Sequence, residues 1–406
     1  MKYLILVGDG MGDYPIAELD GKTVLEVAST PTMDELCSKG EFFLNHTVPD
    51  GFPPGSDVAN MSLMGYDPAL YYTGRAPLEA VSMGISLASD EIAFRCNLVT
   101  LDRNDNGRIT MRDFSAGHIS SEESRQIIDT LETECSTRQF HFKPGISYRH
   151  LMIFKGTHPG ITTVPPHDYI EQDVTLHYQN YLALPEWQHL LERSEAILAG
   201  HPVNLQRIKE GKNPATHFWL WGEGKMVNAP TLKERFQISG SMISAVDLLK
   251  GLGIVADLSV IDVDGATGDI HTNYEGKAQA AMDALADQDF VFVHLEAPDE
   301  AGHQGSLPDK ILAIEDFDAR IVRPIIQHLR DQREDFRVVV TMDHFTPLSL
   351  RTHVSDPVPT LLYDSREQIP GSGQLFCEKS CIEYDKRQHN AITRGYTMID
   401  KLLERK

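Results

Sequence analysis

Three short apolar segments, each followed closely by acidic or histidine side chains, constrain the fold of this 406-residue chain more than any other feature. Lys2–Val7, Phe290–Glu296 and Arg337–Met342 have the length and the aliphatic, β-branched content of buried strands. The polar residues that follow them are, in chain order, Asp9, Asp299, His303, Asp343 and His344. Because parallel strands end at a common edge of an open α/β sheet, we expect these side chains to lie together.

The alternation of predicted strands and helices is interrupted in the middle of the chain. Before and after the interruption, the sequence predicts helices at Thr30–Gly40, from Ser56 to about Met64, and at Ser239–Leu252, Gly276–Leu285 and Asp309–Arg330, with a strand at Ser259–Asp262. The middle stretch instead mixes strands such as Ile92–Leu101 and His150–Lys155 with exposed loops. We therefore predict a doubly wound α/β domain of residues 1–76 and 234–406, interrupted by a smaller inserted α/β domain of residues 77–233.

Composition excludes several classes of function. The net charge of −22 argues against nucleic-acid binding, which requires a basic surface. No apolar run has the length of a membrane span, and the first apolar segment is too short for a signal peptide. Five cysteines in a chain of this length form no disulfide framework, so we expect a reduced, cytoplasmic protein. The spacing of Cys377 and Cys381 suits two structural thiols better than a redox or metal pair. The composition leaves the oligomeric state open.

Together with His353 and Ser56, the acidic and histidine residues are the ligand set that two divalent cations need. Asp299 and His303 are four residues apart, which places both on one face of a helical turn. Alone, this spacing is more typical of a surface pair or a helix cap. The joint occurrence of the candidates at strand ends favours a metal site, and Asp and His without cysteine favour Mn²⁺, Zn²⁺ or Co²⁺ over Ca²⁺.

Ser56 follows Pro-Pro-Gly at a predicted helix start, where a serine is most often an N-cap. A hydroxyl beside a divalent cation also loses its proton readily and becomes a nucleophile, and the amides of a helix N-terminus favour a phosphate. We therefore consider Ser56 a candidate nucleophile for phosphoryl transfer.

Motifs along nearly the whole chain resemble the short, archaeal-type branch of the cofactor-independent phosphoglycerate mutases, in the alkaline phosphatase superfamily. The motifs are LVGDGMGD, PGSDVANMSLMGYDP, YYTGRAPLEA, AFRCNLVT, DFSAGHIS, WLWGEGK, the GATG and TNYEGKA block, EAPDEAGH and the DH and HVSDPVP stretches near the C-terminus. The resemblance implies an alkaline-phosphatase-like fold for the doubly wound domain. The resemblance implies that Ser56 carries a phosphoserine intermediate while 2- and 3-phosphoglycerate are interconverted. It also implies two ions, with Mn²⁺ favoured: one held by Asp9, Ser56, Asp343 and His344, the other by Asp299, His303 and His353.

The resemblance further implies that the inserted domain binds a small phosphorylated hydroxy acid. Candidate contacts from family-like segments are Arg75, Arg95, His118, Arg149, Asp168 and Lys277. The arginine-rich stretch that the longer mutases carry in their inserted domain is not found here. An alternative therefore stays open, in which the same site serves a related phosphotransferase or phosphatase acting on another hydroxy acid such as homoserine.

Overall fold

The computed structural model describes residues 1–389 and 391–404, which form two compact units. The main unit contains Met1–Tyr72 and the described chain from Asn228 onward, and the inserted unit is Thr73–Val227. Both divisions fall a few residues earlier than the sequence predicts. Helix Arg75–Ser82 packs on strands of the inserted unit, whereas the Leu232 amide donates a hydrogen bond to the Ala256 carbonyl within the main unit.

An eight-stranded sheet forms the centre of the main unit. Its strands are β1 (Lys2–Gly8), β2 (Glu41–His46), β8 (Gly240–Ile243), β9 (Ser259–Ile261), β10 (Phe290–Leu295), β11 (Phe336–Thr341), β12 (Val358–Asp364) and β13 (Thr393–Arg394). The order across the sheet is β13-β2-β12-β11-β1-β10-β8-β9. Strands β11, β1, β10, β8 and β9 are parallel, whereas β12 is antiparallel to both of its neighbours.

The register of β1 brings the three predicted strand ends side by side. Val7 pairs with Thr341 of β11, and Gly8 pairs with Leu295 of β10. Leu4 and Leu6 pack in the core cluster on one face of the sheet, and Ile5 and Val7, which face the other way, are also fully buried. Both faces of the sheet are therefore covered, as expected for a parallel α/β sheet.

Helices surround this sheet. In the main unit they are Val24–Val27, Pro31–Lys39, Ser56–Leu63, Pro68–Tyr71, Leu232–Phe236, Asp247–Val255, Tyr274–Asp287, Ala297–Gln304, Leu307–Asp316, Arg323–Asp331, Glu378–Gln388 and Met398–Leu402. A π-helical turn, Phe317–Val322, joins Leu307–Asp316 to Arg323–Asp331, so the predicted helix Asp309–Arg330 is one helix with a local irregularity. Across residues 1–389 and 391–404, we find no helix with the length and apolarity needed to cross a bilayer.

The predicted helix Ser239–Leu252 is wrong in its first half. Residues Gly240–Ile243 form strand β8, and the helix is Asp247–Val255. All four residues of β8 are buried between β10 and β9. Periodicity alone cannot separate such a short, fully buried strand from the start of a buried helix.

The inserted unit is built on an antiparallel sheet of β3 (Glu91–Arg103), β4 (Ile109–Asp113), β5 (Phe140–Ile146), β6 (Arg149–Lys155) and β7 (His217–Gly224). Its helices are Arg75–Ser82, Ser121–Cys135, Thr175–Leu182, Pro185–Gly200 and Pro202–Lys209. The long strand β3 pairs with β6, β7 and β4 in turn, and aromatic side chains dominate the core beside it.

Candidate metal and phosphoryl-transfer site

The candidate nucleophile is the first residue of helix Ser56–Leu63. Gly55 is the N-cap residue, so Ser56 is not the cap that its sequence context also allowed. The Ser56 side chain is half-buried, and its Oγ lies 3.2 Å from His344 Nε2. Helix geometry thus presents the hydroxyl beside an imidazole, at the N-terminal first turn of the helix.

Asp9, Asp343 and His344 form one side of the site at the ends of β1 and β11, and all three are almost completely buried. His344 Nε2 lies 3.5 Å from Asp9 Oδ1 and 3.4 Å from Asp343 Oδ2. Asp343 Oδ1 accepts hydrogen bonds from the amides of Gly10, at 3.2 Å, and His344, at 2.9 Å. These backbone donors fix the Asp343 carboxylate.

Gly10 permits the close approach of the first loop to the rest of the site. Its φ of +61° lies in the left-handed region, where glycine is favoured. A Cβ at this position would lie 2.6 Å from Thr346 Oγ1 and 2.7 Å from Asp299 Oδ1. Any larger residue would therefore separate the loop after β1 from the ligands contributed by the other two strand ends.

Asp299, His303 and His353 form the other side. Helix Ala297–Gln304 carries the first two, and His303 Nε2 lies 3.2 Å from Asp299 Oδ2. His353 Nε2 lies 3.4 Å from Asp299 Oδ1 and 2.9 Å from His303 Nε2. The His353 ring stacks on that of His344 with a centroid separation of 4.0 Å, so the two sides are in direct contact. All seven predicted residues therefore meet at one place.

The electrostatics of the site suit the binding of added positive charge. Burial, followed by the negative charges of Asp343 and Asp299, raises the pKa of Asp9 well above its ordinary value. Burial also raises the pKa of Asp299, but hydrogen bonds from His303 and His353 outweigh this effect and hold the pKa well below the usual range. In the described part of the chain, the ion-pair partners of these three carboxylates are histidines, with no lysine or arginine. Buried carboxylates without fixed cations are suited to binding metal ions.

The distances between donor atoms group the candidate ligands into two sets. These sets differ from the two ligand sets that the resemblance implies. Asp299, His344 and His353 offer donors within 4.8 Å of one another, and so do Asp9, His294 and Asp343. His294 is a residue that the sequence analysis missed, although a histidine inside the apolar strand β10 was a usable signal. Its Nε2 and Asp9 Oδ1 are buried and make no hydrogen bond to any residue that the structure describes. Such unpaired donor atoms fit a bound cation.

Two further residues that the sequence analysis missed hold the ligands in place. Asn60, one turn after Ser56 on the same helix, donates hydrogen bonds to Asp343 Oδ2 and to the Ser56 carbonyl, both at 2.9 Å. Thr346 hydrogen-bonds to Asp299 through its hydroxyl, which also lies 3.3 Å from His344 Nδ1. The four-residue spacing of Ser56 and Asn60 is visible in the sequence and could have indicated Asn60. The sequence contains no comparable signal for the contact between Thr346 and Asp299.

Most of the predicted substrate contacts surround an aromatic cluster of Phe114, Tyr148, His167 and Trp221 in the inserted unit. The Arg95 guanidinium lies over the Trp221 ring, 4.1 Å from its centroid, and Arg75 lies 5.9 Å from the same ring. His118 and Arg149 contact Tyr148, and Asp168 pairs with His167. The three arginines come from separate elements, which explains why no arginine-rich stretch is visible in the sequence.

Arg95 is the most constrained of these groups. Burial lowers the pKa of Arg95 to about 10. The positive charges of Arg75 and Arg149 lower this pKa further, whereas the negative charge of Glu79 raises it. Arg95 Nε lies 2.9 Å from Glu79 Oε2, yet its N–H is not directed at that oxygen, so the contact is a charge attraction and not a hydrogen bond. A buried guanidinium crowded by two others favours an anionic ligand.

Lys277 does not belong with these residues, and its prediction as a substrate contact is wrong. It is fully buried in helix Tyr274–Asp287 of the main unit, and its Nζ donates a hydrogen bond of 3.0 Å to the His294 carbonyl. Burial lowers the pKa of Lys277 to about 8. The side chain therefore supports strand β10 from within the core.

Comparisons with known proteins identify the family of the chain. A family model described as 2,3-bisphosphoglycerate-independent phosphoglycerate mutase matches residues 37–204. The chain is 53% identical over 386 residues to a protein of that name from Methanosarcina acetivorans, and the match covers 94% of this chain and 95% of that protein. The chain belongs to the 2,3-bisphosphoglycerate-independent phosphoglycerate mutase family.

Solved structures confirm the predicted fold class. A protein from Pyrococcus horikoshii is similar with a TM-score of 0.81 and 29% identity, covering 100% of this chain and 98% of that one. A cofactor-independent phosphoglycerate mutase from Thermoplasma acidophilum is similar with a TM-score of 0.62 and 29% identity, covering 100% of this chain and 99% of that one.

Proposed function

We propose that this family member interconverts 2- and 3-phosphoglycerate through a phosphoserine at Ser56, in a site that holds two divalent cations. The observation that carries the proposal is the position of Ser56 Oγ, 3.2 Å from His344 Nε2 beside two groups of buried carboxylates and imidazoles. Family membership supports the same activity, because the relative with 53% identity carries this name.

The residues fit two cations. Asp9, Ser56, Asp343 and His344 would hold one, and Asp299, His303 and His353 the other. When bound, such ions lower the pKa of a coordinated hydroxyl and neutralise charge on phosphoryl oxygens. Mn²⁺ is our proposed ion, because the donors are carboxylate oxygens and imidazole nitrogens without thiolates.

Ser56 is the residue of the chain that forms and breaks the bond to the phosphoryl group. Ser56 Oγ loses its proton and attacks the phosphorus of the substrate, the new Oγ–P bond forms, and the bond from phosphorus to the substrate oxygen breaks. The departing oxygen takes up a proton, and the glycerate reorients. Its other hydroxyl then loses a proton and attacks the phosphorus of the phosphoserine. The Oγ–P bond breaks, and Oγ takes up a proton, which restores the serine. The amides at the start of helix Ser56–Leu63 favour the phosphate throughout.

We assign the substrate carboxylate to the arginine cluster of the inserted unit. Arg95 is buried, stacked on Trp221 and crowded by positive charge, and a guanidinium in this setting makes strong, directional hydrogen bonds to a carboxylate. Arg75 and Arg149 add positive charge beside it.

The test uses purified, Mn²⁺-loaded protein with 3-phosphoglycerate, followed by ³¹P NMR. We expect 2-phosphoglycerate without bisphosphoglycerate in the medium, and no turnover in the Ser56→Ala variant with metal binding retained. Ser62→Ala is the matched control, because Ser62 is a buried serine of the same helix. Interconversion by Ser56→Ala would refute the proposal. Inorganic phosphate as the sole product would instead favour a phosphatase of the same site.

A further inference from the structure

His294 is a polar residue in an otherwise apolar strand. It is the next-to-last residue of β10, whose other members are Phe, Val and Leu, and it has no exposed surface. Burying an imidazole costs free energy unless both ring nitrogens find partners. The surroundings of these two nitrogens therefore indicate the purpose of the residue.

One nitrogen is positioned by a serine. His294 Nδ1 lies 3.4 Å from Ser244 Oγ, which also accepts a hydrogen bond of 3.0 Å from the Val246 amide. When Nδ1 carries the proton and donates it to Ser244, Nε2 presents a lone pair. Metal-binding histidines are commonly oriented in this way through the nitrogen that does not bind the metal.

The other nitrogen faces the metal-ligand carboxylates. His294 Nε2 lies 3.0 Å from Asp9 Oδ2, but the ring N–H direction does not give a hydrogen bond to that oxygen or to any other atom of the described residues. Two donors that bind one ion at about 2.1 Å lie about 3.0 Å apart at octahedral angles and about 3.4 Å apart at tetrahedral angles. The separation and the missing hydrogen bond together fit two donors directed at a common third point.

A third donor lies in the same place. One oxygen of Asp343 falls within 4.8 Å of both Asp9 and His294 donor atoms. Asp9 Oδ1 meanwhile faces His344 at 3.5 Å, on the side of Ser56. The Asp9 carboxylate thus has His294 on one side and His344 on the other.

We propose that His294 is a ligand of the cation held by Asp9 and Asp343. The inference rests on the two-cation site of the proposed function and adds a donor to it. This ion then has an imidazole from β10 in addition to the donors on the Ser56 side. A buried nitrogen donor favours Mn²⁺, Zn²⁺ or Co²⁺ over Mg²⁺ and Ca²⁺. His294 is therefore also a determinant of metal selectivity.

The test compares metal binding by the full-length wild type, His294→Ala and His294→Gln. Isothermal titration with Mn²⁺ counts the ions, and pulsed EPR with ¹⁴N- and ¹⁵N-histidine-labelled protein counts coordinated imidazoles. We expect two ions in the wild type. In His294→Ala we expect one of them to bind at least about 10- to 100-fold more weakly, with one imidazole coupling lost. In His294→Gln the amide oxygen replaces the nitrogen, so the ratio of Mg²⁺ to Mn²⁺ affinity rises.

His150→Gln is the matched control, because His150 is buried in the inserted unit and its Nε2 also makes no hydrogen bond within the described residues. Circular dichroism of the metal-free variants verifies folding. Wild-type affinity and an unchanged imidazole count in His294→Ala would overturn the inference. Because these readouts do not involve turnover, an inactive wild type that binds two ions would refute the mutase proposal and leave the role of His294 standing.

Discussion

Replacement of Asn60 tests whether the helix of the nucleophile also positions a metal ligand. The Asn60 amide group donates one hydrogen bond to Asp343 Oδ2 and one to the Ser56 carbonyl, both at 2.9 Å, and the side chain is fully buried. A hydrogen bond to a charged group contributes about 1.5–3 kcal/mol. Without it, Asp343 Oδ2 loses the donor that fixes its orientation toward a cation.

We expect Asn60→Ala to weaken the binding of one Mn²⁺ ion by about 10- to 100-fold, the usual effect of removing a group that orients a metal ligand. This corresponds to about 1.4–2.8 kcal/mol, within the range for the lost hydrogen bond. The other ion, on the Asp299 side, should bind as before. Isothermal titration of metal-free protein resolves the two events.

Asn204→Ala is the matched control. Asn204 is a buried asparagine of the inserted unit that donates to the Leu198 and Ala215 carbonyls, both at 2.8 Å. We expect its loss to lower the free energy of unfolding by a similar amount and to leave Mn²⁺ affinity unchanged. Less than a twofold change in Mn²⁺ affinity for Asn60→Ala, or equal changes in both variants, would refute the reasoning.

Three further predictions concern charge. Chelation with EDTA should lower the unfolding temperature, since each ion present at a hundredfold excess over its Kd adds about 2.7 kcal/mol; an unchanged temperature would contradict the metal site. Burial raises the pKa of Glu378 from 4.5 to about 7, so the native state retains a proton that the unfolded state loses. The free energy of unfolding should therefore fall by about 3 kcal/mol between pH 4.5 and 7, more steeply in the wild type than in Glu378→Gln, as urea titrations in EDTA can measure; parallel pH profiles would exclude this. Arg95→Gln should raise the KM for 3-phosphoglycerate by about 10- to 100-fold without altering Mn²⁺ affinity, and an unchanged KM would remove Arg95 from the substrate site.

The site was predictable from sequence because its ligands follow recognisable strands. Val7, His294 and Thr341 lie at paired positions on three adjacent parallel strands, so residues just beyond them must meet. His353 was the weakest part of this argument, since it lies in a loop. The hydrogen bond of 3.0 Å between His353 Nδ1 and the Pro54 carbonyl, which positions it, joins segments 299 residues apart and has no local signature.

The errors have equally specific causes. Lys277 lies in a segment with helical periodicity, where a lysine normally indicates the solvent-facing side. Its partner is a backbone carbonyl of β10, and a backbone acceptor leaves no mark on the sequence. His294 was missed because a single polar residue within FVFVHL does not interrupt a strand. Its role depends on Asp9, which is 285 residues away in the chain.

The antiparallel half of the main sheet also escaped prediction. Strand β12 is antiparallel to both β11 and β2, so it runs opposite to the neighbours between which it lies. The regular alternation of strand and helix predicts only parallel neighbours. This half lies beyond β11, away from β10, and the prediction of the site did not depend on it.

Anomalous diffraction from Mn²⁺-soaked crystals of the full chain tests the central claim most directly. We predict two peaks on opposite sides of Ser56 Oγ, one bonded to Asp9 and Asp343 and the other to Asp299, His303 and His353. A single peak that leaves one of these groups without an ion, or peaks remote from Ser56, would contradict the account.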